Sequence, residues 1–199
     1  GEVMLRVTAR ASTEEEGRVL VEPVVAQLKE RFGDKVYGVD VDTLEQVVIE
    51  KLKEKRKTLA AAESCTGGLL QKRITDIAGC SAAFLGGVVS YSNSFKADIL
   101  GVDGEALAKY GAVSEPVARS MAEGVRKITG ADIAVGITGI AGPNSDLTEK
   151  PVGEVFIALT SADGTECVEK HFGPDRGRIR TAAVNTALDM VRRYLDNII

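Results

Sequence analysis

A serine and a cysteine stand side by side in a short segment, residues 62–68, whose sequence reads AESCTGG. An apolar run precedes the segment at residues 58–61, and a helix-like spacing of apolar residues follows it. The sequence therefore predicts a strand over residues 58–63, a sharp turn through two glycines, and a helix over residues 66–78. Backbone N–H groups at such a helix N-terminus bind anions, and a strand-to-helix turn exposes a nucleophile.

The two candidate nucleophiles are Ser64 and Cys65, and the residue types alone leave both open. Cys65 would need a partner that stabilises its thiolate, so a small buried cysteine under the turn is the better interpretation of this residue. The chain has three cysteines, and Cys80 and Cys167 lie far from Cys65 and from each other. An odd number at wide spacing argues against a disulfide framework and predicts a reducing, cytoplasmic setting.

A base for the nucleophile must be found elsewhere, because the chain contains a single histidine, His171. A histidine-assisted triad is excluded unless His171 supplies it, and a histidine-based zinc site is nearly excluded. Lys96 is the best remaining candidate, since it follows a predicted strand in a polar loop with Tyr91 and Asn93. A lysine can act as a base when burial or neighbouring positive charge lowers its pKa.

Three arginines crowd the first turns of the last predicted helix, which begins at Asp175 as its N-cap. Cations at that end oppose the helix dipole by roughly 0.3–1 kcal/mol each. An anionic ligand or a carboxylate partner would remove the conflict. Arg176 and Arg180 are four residues apart, share one helix face and could bind one phosphate. The alternative is that Arg176, Arg178 and Arg180 are surface arginines that point away from the terminus.

Strands and helices alternate from Thr58 onward, and a hairpin turn is predicted at Asp163 and Gly164. The predicted fold class is α/β: a three-layer α/β/α domain whose sheet is mixed because that hairpin is antiparallel. Ligands bind such sheets where strand ends meet helix N-termini. The predicted strands cover residues 58–63, 85–91, 132–138, 152–160 and 165–171, and the predicted helices cover residues 66–78, 94–100, 114–129 and 175–197.

Residues 1–41 are predicted to form a separate, small α+β segment. Residues 3–9 alternate like a strand, Ser12 and Glu15 form a capping box that begins a helix, and residues 36–39 resemble a short second strand.

The composition suits a globular protein. The chain has 199 residues, of which 44% are hydrophobic, and a net charge of −4. Such a slightly acidic chain is a poor nucleic-acid binder, and no apolar run reaches the length of a membrane span. We therefore expect no nucleic-acid or membrane partner and no metal site.

These segments, taken in order and spacing, resemble the C-terminal domain of the CinA (competence/damage-inducible) family over residues 42–199. Residues 3–40 resemble the small KH-like linker domain that precedes it. The matching segments are residues 62–68, residues 89–93 with Lys96, and residues 111–114, 138–143, 150–153 and 173–176 with Arg180.

The resemblance implies a nicotinamide-nucleotide amidase of pyridine nucleotide recycling, which converts NMN and water to nicotinate mononucleotide and ammonia without a cofactor. It implies a Ser-Lys dyad in which Ser64 is the nucleophile and Lys96 its base. Tyr91 would assist the pair, and Thr138 would contact the substrate or assist as well. It also suggests a homo-oligomer. The residues implied in substrate binding are Thr66, Gly67, Gly68, Asn93, Gly139, Gly142, Arg176 and Arg180.

The sequence departs from the family pattern at three places. Residues 144–149 replace a Gly-Gly-Ser-like turn, and Ser94 and Phe95 replace a commoner Glu-Ala. Residues 1–41 lack the Gly-x-x-Gly loop of a KH clamp, so RNA binding is not expected.

Three alternative functions stay open: an amidase for another anionic amide, a nucleotide-binding or regulatory module with little turnover, and an adaptor role for residues 1–40 with the lysines of residues 51–57.

Overall fold

The computed structural model describes residues 2–145 and 150–199. It divides into two compact units, Gly1–Asp42 and Thr43–Ile199. The sequence departs from the family pattern at residues 144–149, and four of these six residues, 146–149, lie outside the described residues.

The N-terminal unit contains one long helix, α1 (Glu14–Phe32). The Thr13 hydroxyl begins it by accepting a hydrogen bond from Glu16 N at 3.2 Å, while the Glu16 carboxylate accepts one from Ser12 N at 3.1 Å. The predicted capping box of Ser12 and Glu15 is therefore wrong: Thr13 is the N-cap, and Glu16 bonds the N–H of the preceding residue, Ser12, rather than that of the N-cap.

The two strands predicted in this unit are wrong. Residues 3–9 and 36–39 form no strand among the described residues, and Val3 and Met4 are 78% and 76% exposed. Alternating apolar residues form a strand only where a neighbouring strand takes their backbone hydrogen bonds and another layer covers their apolar face. Neither condition is met within residues 2–42.

One mixed sheet of five strands forms the centre of the C-terminal unit. The strands are β1 (Leu59–Glu63), β2 (Phe84–Val89), β3 (Ile133–Gly139), β4 (Glu154–Ser161) and β5 (Gly164–His171). Their order is β2-β1-β3-β4-β5; β1 runs parallel to β2 and β3, whereas β4 is antiparallel to β3 and β5. The predicted hairpin joins β4 to β5, with Ser161 opposite Gly164. The mixed sheet of the predicted α/β fold is thus confirmed.

Helices cover both faces of this sheet. They are α2 (Leu44–Glu54), α3 (Leu69–Thr75), α4 (Asn93–Leu100), α5 (Gly104–Tyr110), α6 (Glu115–Thr129) and α7 (Arg176–Leu195). Ala60 and Ala134 face a core shared with α4 and α6, where Met121 is fully buried. Since strand side chains alternate between faces, the intervening residues of β1 and β3, such as Ala61 and Val135, face the layer of α2, α3 and α7. The sheet with helices on both of its faces gives the three layers that the sequence predicted.

Strand β1 is buried along its whole length, as expected of a central parallel strand with helices on both faces. Helix α4 lies close to α6, since a Cβ on Gly124 would come within 2.0 Å of Leu100 O. At the start of α7, Asp175 caps the helix as predicted, with its Oδ1 accepting from Arg178 N at 2.7 Å. Helix α5 had no counterpart among the predicted helices. Within residues 2–145 and 150–199, no helix is both long and apolar enough to cross a membrane.

Candidate active site

The segment with both candidate nucleophiles lies where β1 ends and α3 begins. Ser64 N donates to Ile137 O at 2.9 Å, which extends the pairing of β1 with β3 by one residue. Gly67 and Gly68 have φ values of 57° and 87°, in the left-handed region that glycine adopts without a steric penalty. These two residues delay the helix, so α3 begins at Leu69 rather than at the predicted residue 66. Within the turn, Gly67 N donates a hydrogen bond to Ser64 O at 3.0 Å before the helix begins.

Lys96 lies in α4 with its side chain only 1% exposed. Its Nζ is 3.1 Å from Ser64 Oγ, 2.8 Å from Ser90 O and 3.3 Å from Tyr91 O. The structure therefore brings Ser64 and Lys96, which are far apart in the sequence, to hydrogen-bond distance.

Burial lowers the pKa of Lys96, because an apolar surrounding disfavours the ammonium form. Among the described residues, no carboxylate lies within ion-pair distance of its Nζ to oppose this shift. A neutral amine has two N–H groups and one lone pair. If the carbonyls of Ser90 and Tyr91 take the two N–H groups, the lone pair faces the hydroxyl of Ser64. This arrangement can remove a proton from that hydroxyl.

Cys65 is a weaker candidate for the nucleophile. Its side chain is 5% exposed, and burial, reinforced by the charge of Glu63, raises the pKa of its thiol to about 12. A thiol with that pKa is protonated at neutral pH, and the thiolate is the reactive form of cysteine. Of the two nucleophiles that the sequence left open, the geometry favours Ser64.

The N-terminus of α3 is already occupied by a carboxylate of the chain itself. Glu63 is fully buried, and its two oxygens accept hydrogen bonds from Leu70 N at 3.1 Å and Gln71 N at 2.9 Å. The sequence predicted an anion-binding helix N-terminus here, and Glu63 is that anion. This role of Glu63 was not predicted from the sequence, although an acid that ends an otherwise apolar strand was a usable signal.

The two arginines that were predicted to share one anion make different contacts. Arg180 donates to Thr66 O from Nε at 3.2 Å and from Nη2 at 2.6 Å, and so holds the turn. Arg176 is exposed; its Nη1 donates to Gly142 O at 2.7 Å and its Nη2 lies 3.4 Å from Tyr91 Oη. Arg176 thus joins two of the predicted site residues at the rim.

The remaining predicted site residues lie on neighbouring elements. Thr138 is buried in β3, and its hydroxyl donates to Ala112 O at 2.8 Å. Gly139 ends the same strand, and Asn93 is exposed in the first turn of α4. In the described part of the chain, no hydrogen bond joins these three residues to Ser64 or to Lys96.

Two buried hydroxyls next to the pair lack a hydrogen-bond partner among the described residues, namely Thr66 Oγ1 and Ser90 Oγ. A buried polar group without a partner costs free energy, so such groups commonly bond a ligand or an ordered water. Over the same residues, no three His, Cys, Asp or Glu side chains are placed to hold a metal ion.

Fold and site together define a three-layer α/β/α protein with a buried serine-lysine pair at the carboxyl end of a parallel strand. The chain belongs to the CinA family. The family model for the CinA C-terminal domain matches residues 41–195, and the model for the damage-inducible protein CinA KH domain matches residues 1–38. The resemblance predicted from the sequence motifs is confirmed.

Full-length relatives agree with this assignment. The chain is 45% identical over 195 residues to a CinA-like protein of Kosmotoga olearia and 50% identical over 197 residues to one of Desulfovibrio desulfuricans. Each match covers 98% of this chain but only 47% and 46% of the relative. The chain therefore spans about half the length of the curated relatives it matches.

Solved structures of the family share the fold. A competence/damage inducible protein of Agrobacterium tumefaciens is 41% identical, with a TM-score of 0.73 over 77% of this chain and 93% of that one. A competence-damaged protein (CinA) superfamily protein of Klebsiella pneumoniae is 31% identical, with a TM-score of 0.75 over 78% and 99% of the two chains.

Proposed function

We propose that this chain is an amidase that hydrolyses the carboxamide of NMN to nicotinate mononucleotide and ammonia, with Ser64 as nucleophile and Lys96 as its base. The observation that carries the proposal is the distance of 3.1 Å between Lys96 Nζ and Ser64 Oγ, together with the burial that lowers the pKa of the lysine. The choice of NMN rests on the resemblance of the sequence motifs to the family.

In the first half of the reaction, neutral Lys96 takes the proton of the Ser64 hydroxyl while Ser64 Oγ attacks the carboxamide carbon. The resulting ammonium of Lys96 then gives this proton to the leaving nitrogen, so that ammonia departs and the acyl group stays on Ser64. In the second half, Lys96 takes a proton from water, the hydroxide attacks the ester, and the proton returns to Ser64. The products are the carboxylic acid and the regenerated enzyme, and the reaction consumes only water.

The turn limits which backbone groups can stabilise the oxyanion. Gly67 N already donates to Ser64 O and Leu69 N to Thr66 O, while Glu63 takes the next two N–H groups. The N–H groups of Cys65, Thr66 and Gly68 are then the candidate donors. Removing one such donor costs about 3–4 kcal/mol of transition-state stabilisation in other hydrolases.

Positive charge at the rim supports an anionic substrate. Arg176 is exposed, and among the described residues it bonds a neutral carbonyl and a phenol, so a phosphate would offer it a stronger, charge-assisted partner. Arg180 is already hydrogen-bonded to Thr66 O. Glu63, the acid nearest the nucleophile in sequence, is buried and accepts a hydrogen bond from the backbone of α3. A phosphate bound at Arg176 would orient the rest of the substrate.

The test is ammonia release from NMN by the wild type, Ser64→Ala and Lys96→Ala, with Cys65→Ser as the matched control for a small change in the same turn. We expect both dyad variants to lose activity by at least ~100-fold and the control to keep it. An unchanged rate in Ser64→Ala would overturn the serine mechanism, and loss confined to Cys65→Ser would assign the reaction to the thiol.

Substrate alternatives are separated in the same assay. Nicotinamide, NAD and glutamine replace NMN, and turnover of one of these without turnover of NMN would favour an amidase for another amide. Calorimetric binding of NMN without any ammonia would favour a nucleotide-binding or regulatory module.

A further inference from the structure

Glu63 is the residue whose burial the proposed reaction leaves unexplained. It is a carboxylate with no exposed surface at the end of a strand whose other residues are leucine and alanine. Burying a charge is costly unless hydrogen bonds compensate for the loss of water. Both oxygens are compensated, by Leu70 N and Gln71 N in the first turn of α3. The carboxylate therefore ties the end of β1 to the start of the helix that follows the nucleophile.

Strand geometry relates Glu63 directly to Ser64. Successive side chains of a strand point to opposite faces, so Glu63 reaches α3 on one face while Ser64 reaches Lys96 of α4 on the other. The backbone of both residues is also held by the sheet, since Ser90 N donates to Glu63 O at 2.8 Å and Ser64 N to Ile137 O at 2.9 Å. The turn at residues 64–68 is thus fixed at its first residue by the sheet and just beyond its last residue by the Glu63 carboxylate.

We propose that Glu63 is a positioning residue for catalysis: its carboxylate fixes the turn of residues 64–68, so that Ser64 Oγ meets Lys96 and the N–H groups of the turn point toward the reacting carbonyl. This inference rests on the proposed function of Ser64 as nucleophile. It also separates two roles that the sequence had combined. The N-terminus of α3 binds the chain's own carboxylate, and the anion of the substrate binds elsewhere, at the rim near Arg176.

The test compares Glu63→Gln with Asp103→Ala. Glutamine keeps the size of the side chain and one acceptor, but it loses the charge and turns an N–H toward one of the two backbone N–H groups. Asp103 caps α5 by accepting from Glu105 N at 3.0 Å, so Asp103→Ala removes a helix cap that is not on the catalytic turn. Both variants are assayed well below their Tm, so that neither is partly unfolded.

We expect Glu63→Gln to lower kcat for NMN by roughly 10- to 100-fold, as small misplacements of reacting groups do. The KM should change little, because Arg176 is untouched. The pH at which kcat/KM falls on the acid side should not move by more than a fraction of a unit, since the groups around Lys96 are unchanged. Asp103→Ala should lower Tm and leave kcat at the wild-type value.

A second measurement does not depend on NMN. A fluorophosphonate reagent phosphonylates activated serines with loss of fluoride, and intact-mass and peptide analysis give the rate of labelling at Ser64. If the wild type is labelled at Ser64 but releases no ammonia from NMN, the proposed substrate is wrong while the role of Glu63 is still tested by the labelling rate of Glu63→Gln. A folded Glu63→Gln that is labelled, or turns over, at the wild-type rate overturns the inference. If Glu63→Gln does not fold, Glu63→Asp takes its place, because it keeps the charge on a shorter side chain. We expect Glu63→Asp to fold and to show the same loss of labelling. A wild-type labelling rate in Glu63→Asp would equally overturn the inference.

Discussion

Replacing Lys96 with methionine separates the catalytic role of the amine from the space that its side chain fills. Methionine is unbranched and of similar length, so it fills the space of the buried Lys96 side chain without leaving a large cavity. A general base contributes about 10²- to 10⁴-fold to a rate. At ~1.36 kcal/mol per decade, this loss corresponds to about 3–5 kcal/mol of transition-state stabilisation. We expect Lys96→Met to lose at least that factor in kcat/KM.

The same substitution has a pH-dependent effect on stability, and its sign follows from the lowered pKa of Lys96. Above the ordinary lysine pKa of 10.5 the amine is neutral in both the folded and the unfolded chain, and its hydrogen bonds stabilise the fold fully. As the pH falls below that value, the unfolded chain takes up a proton and the folded chain does not. The wild type therefore loses stability until the pH passes the lower, folded-state pKa, whereas Lys96→Met has no group to titrate.

The magnitude at alkaline pH follows from the lost donors. Removing the amine leaves Ser90 O and Tyr91 O without this donor, and unsatisfied buried groups cost about 1–3 kcal/mol each. We expect Lys96→Met to be less stable than the wild type by about 2–6 kcal/mol near pH 11 and by clearly less near pH 7.

Urea unfolding at the two pH values measures both differences, and the ammonia assay measures the rate. Lys72→Met is the control, because Lys72 is exposed and pairs with Asp76 on the surface of α3. Its effect should stay below about 0.5 kcal/mol at both pH values. A stability difference for Lys96→Met that does not change with pH would refute the lowered pKa, and activity within a factor of about ten of the wild type would refute the role of Lys96 as base.

Three other predictions concern neighbouring groups. Cys65→Ser should keep kcat within about threefold, because its buried thiol stays protonated and takes no part in the attack; ammonia release measures this, and a loss of activity would contradict it. Arg176→Ala should raise KM for NMN by about 10-fold at nearly constant kcat, whereas Arg180→Ala should lower kcat because the carbonyl of Thr66 loses its two donors; the reverse pattern in steady-state kinetics would exchange the two roles. Arg73→Ala should destabilise the fold by about 3 kcal/mol in urea unfolding. The reason is that the largely buried Glu45 carboxylate of α2 loses the two hydrogen bonds, of 2.8 and 2.7 Å, that Arg73 donates. A change below ~1 kcal/mol would contradict the importance of this ion pair.

The strands and helices around the site were predictable because local signals agree with the tertiary packing. The hairpin at Asp163 and Gly164 has the turn residues that a tight antiparallel connection needs, and Asp175 supplies a standard N-cap. The N-terminal unit shows the opposite case. Residues 3–9 alternate as a strand does, but alternation alone does not provide the paired neighbour that a strand requires.

The roles of the two arginines could not be separated from the sequence. Arg176 and Arg180 share a helix face, so the spacing predicted one common anion. Their separate partners, Gly142 O and Thr66 O, belong to loops that follow different strands, and only the order of the strands in the sheet determines which loop lies beside which arginine.

The sequence by itself determined which chemistry is available: a serine on a glycine turn, a lysine in place of the missing histidine, and the family to which these motifs belong. These are properties of residue type and local spacing. The tertiary structure alone decided how those groups act. Burial between α4 and the sheet lowers the pKa of Lys96, and burial also keeps the thiol of Cys65 protonated. The carboxylate of Glu63 fills the helix N-terminus that the sequence had assigned to a ligand. Burial and long-range hydrogen bonds depend on how distant segments pack, and local sequence does not encode them residue by residue.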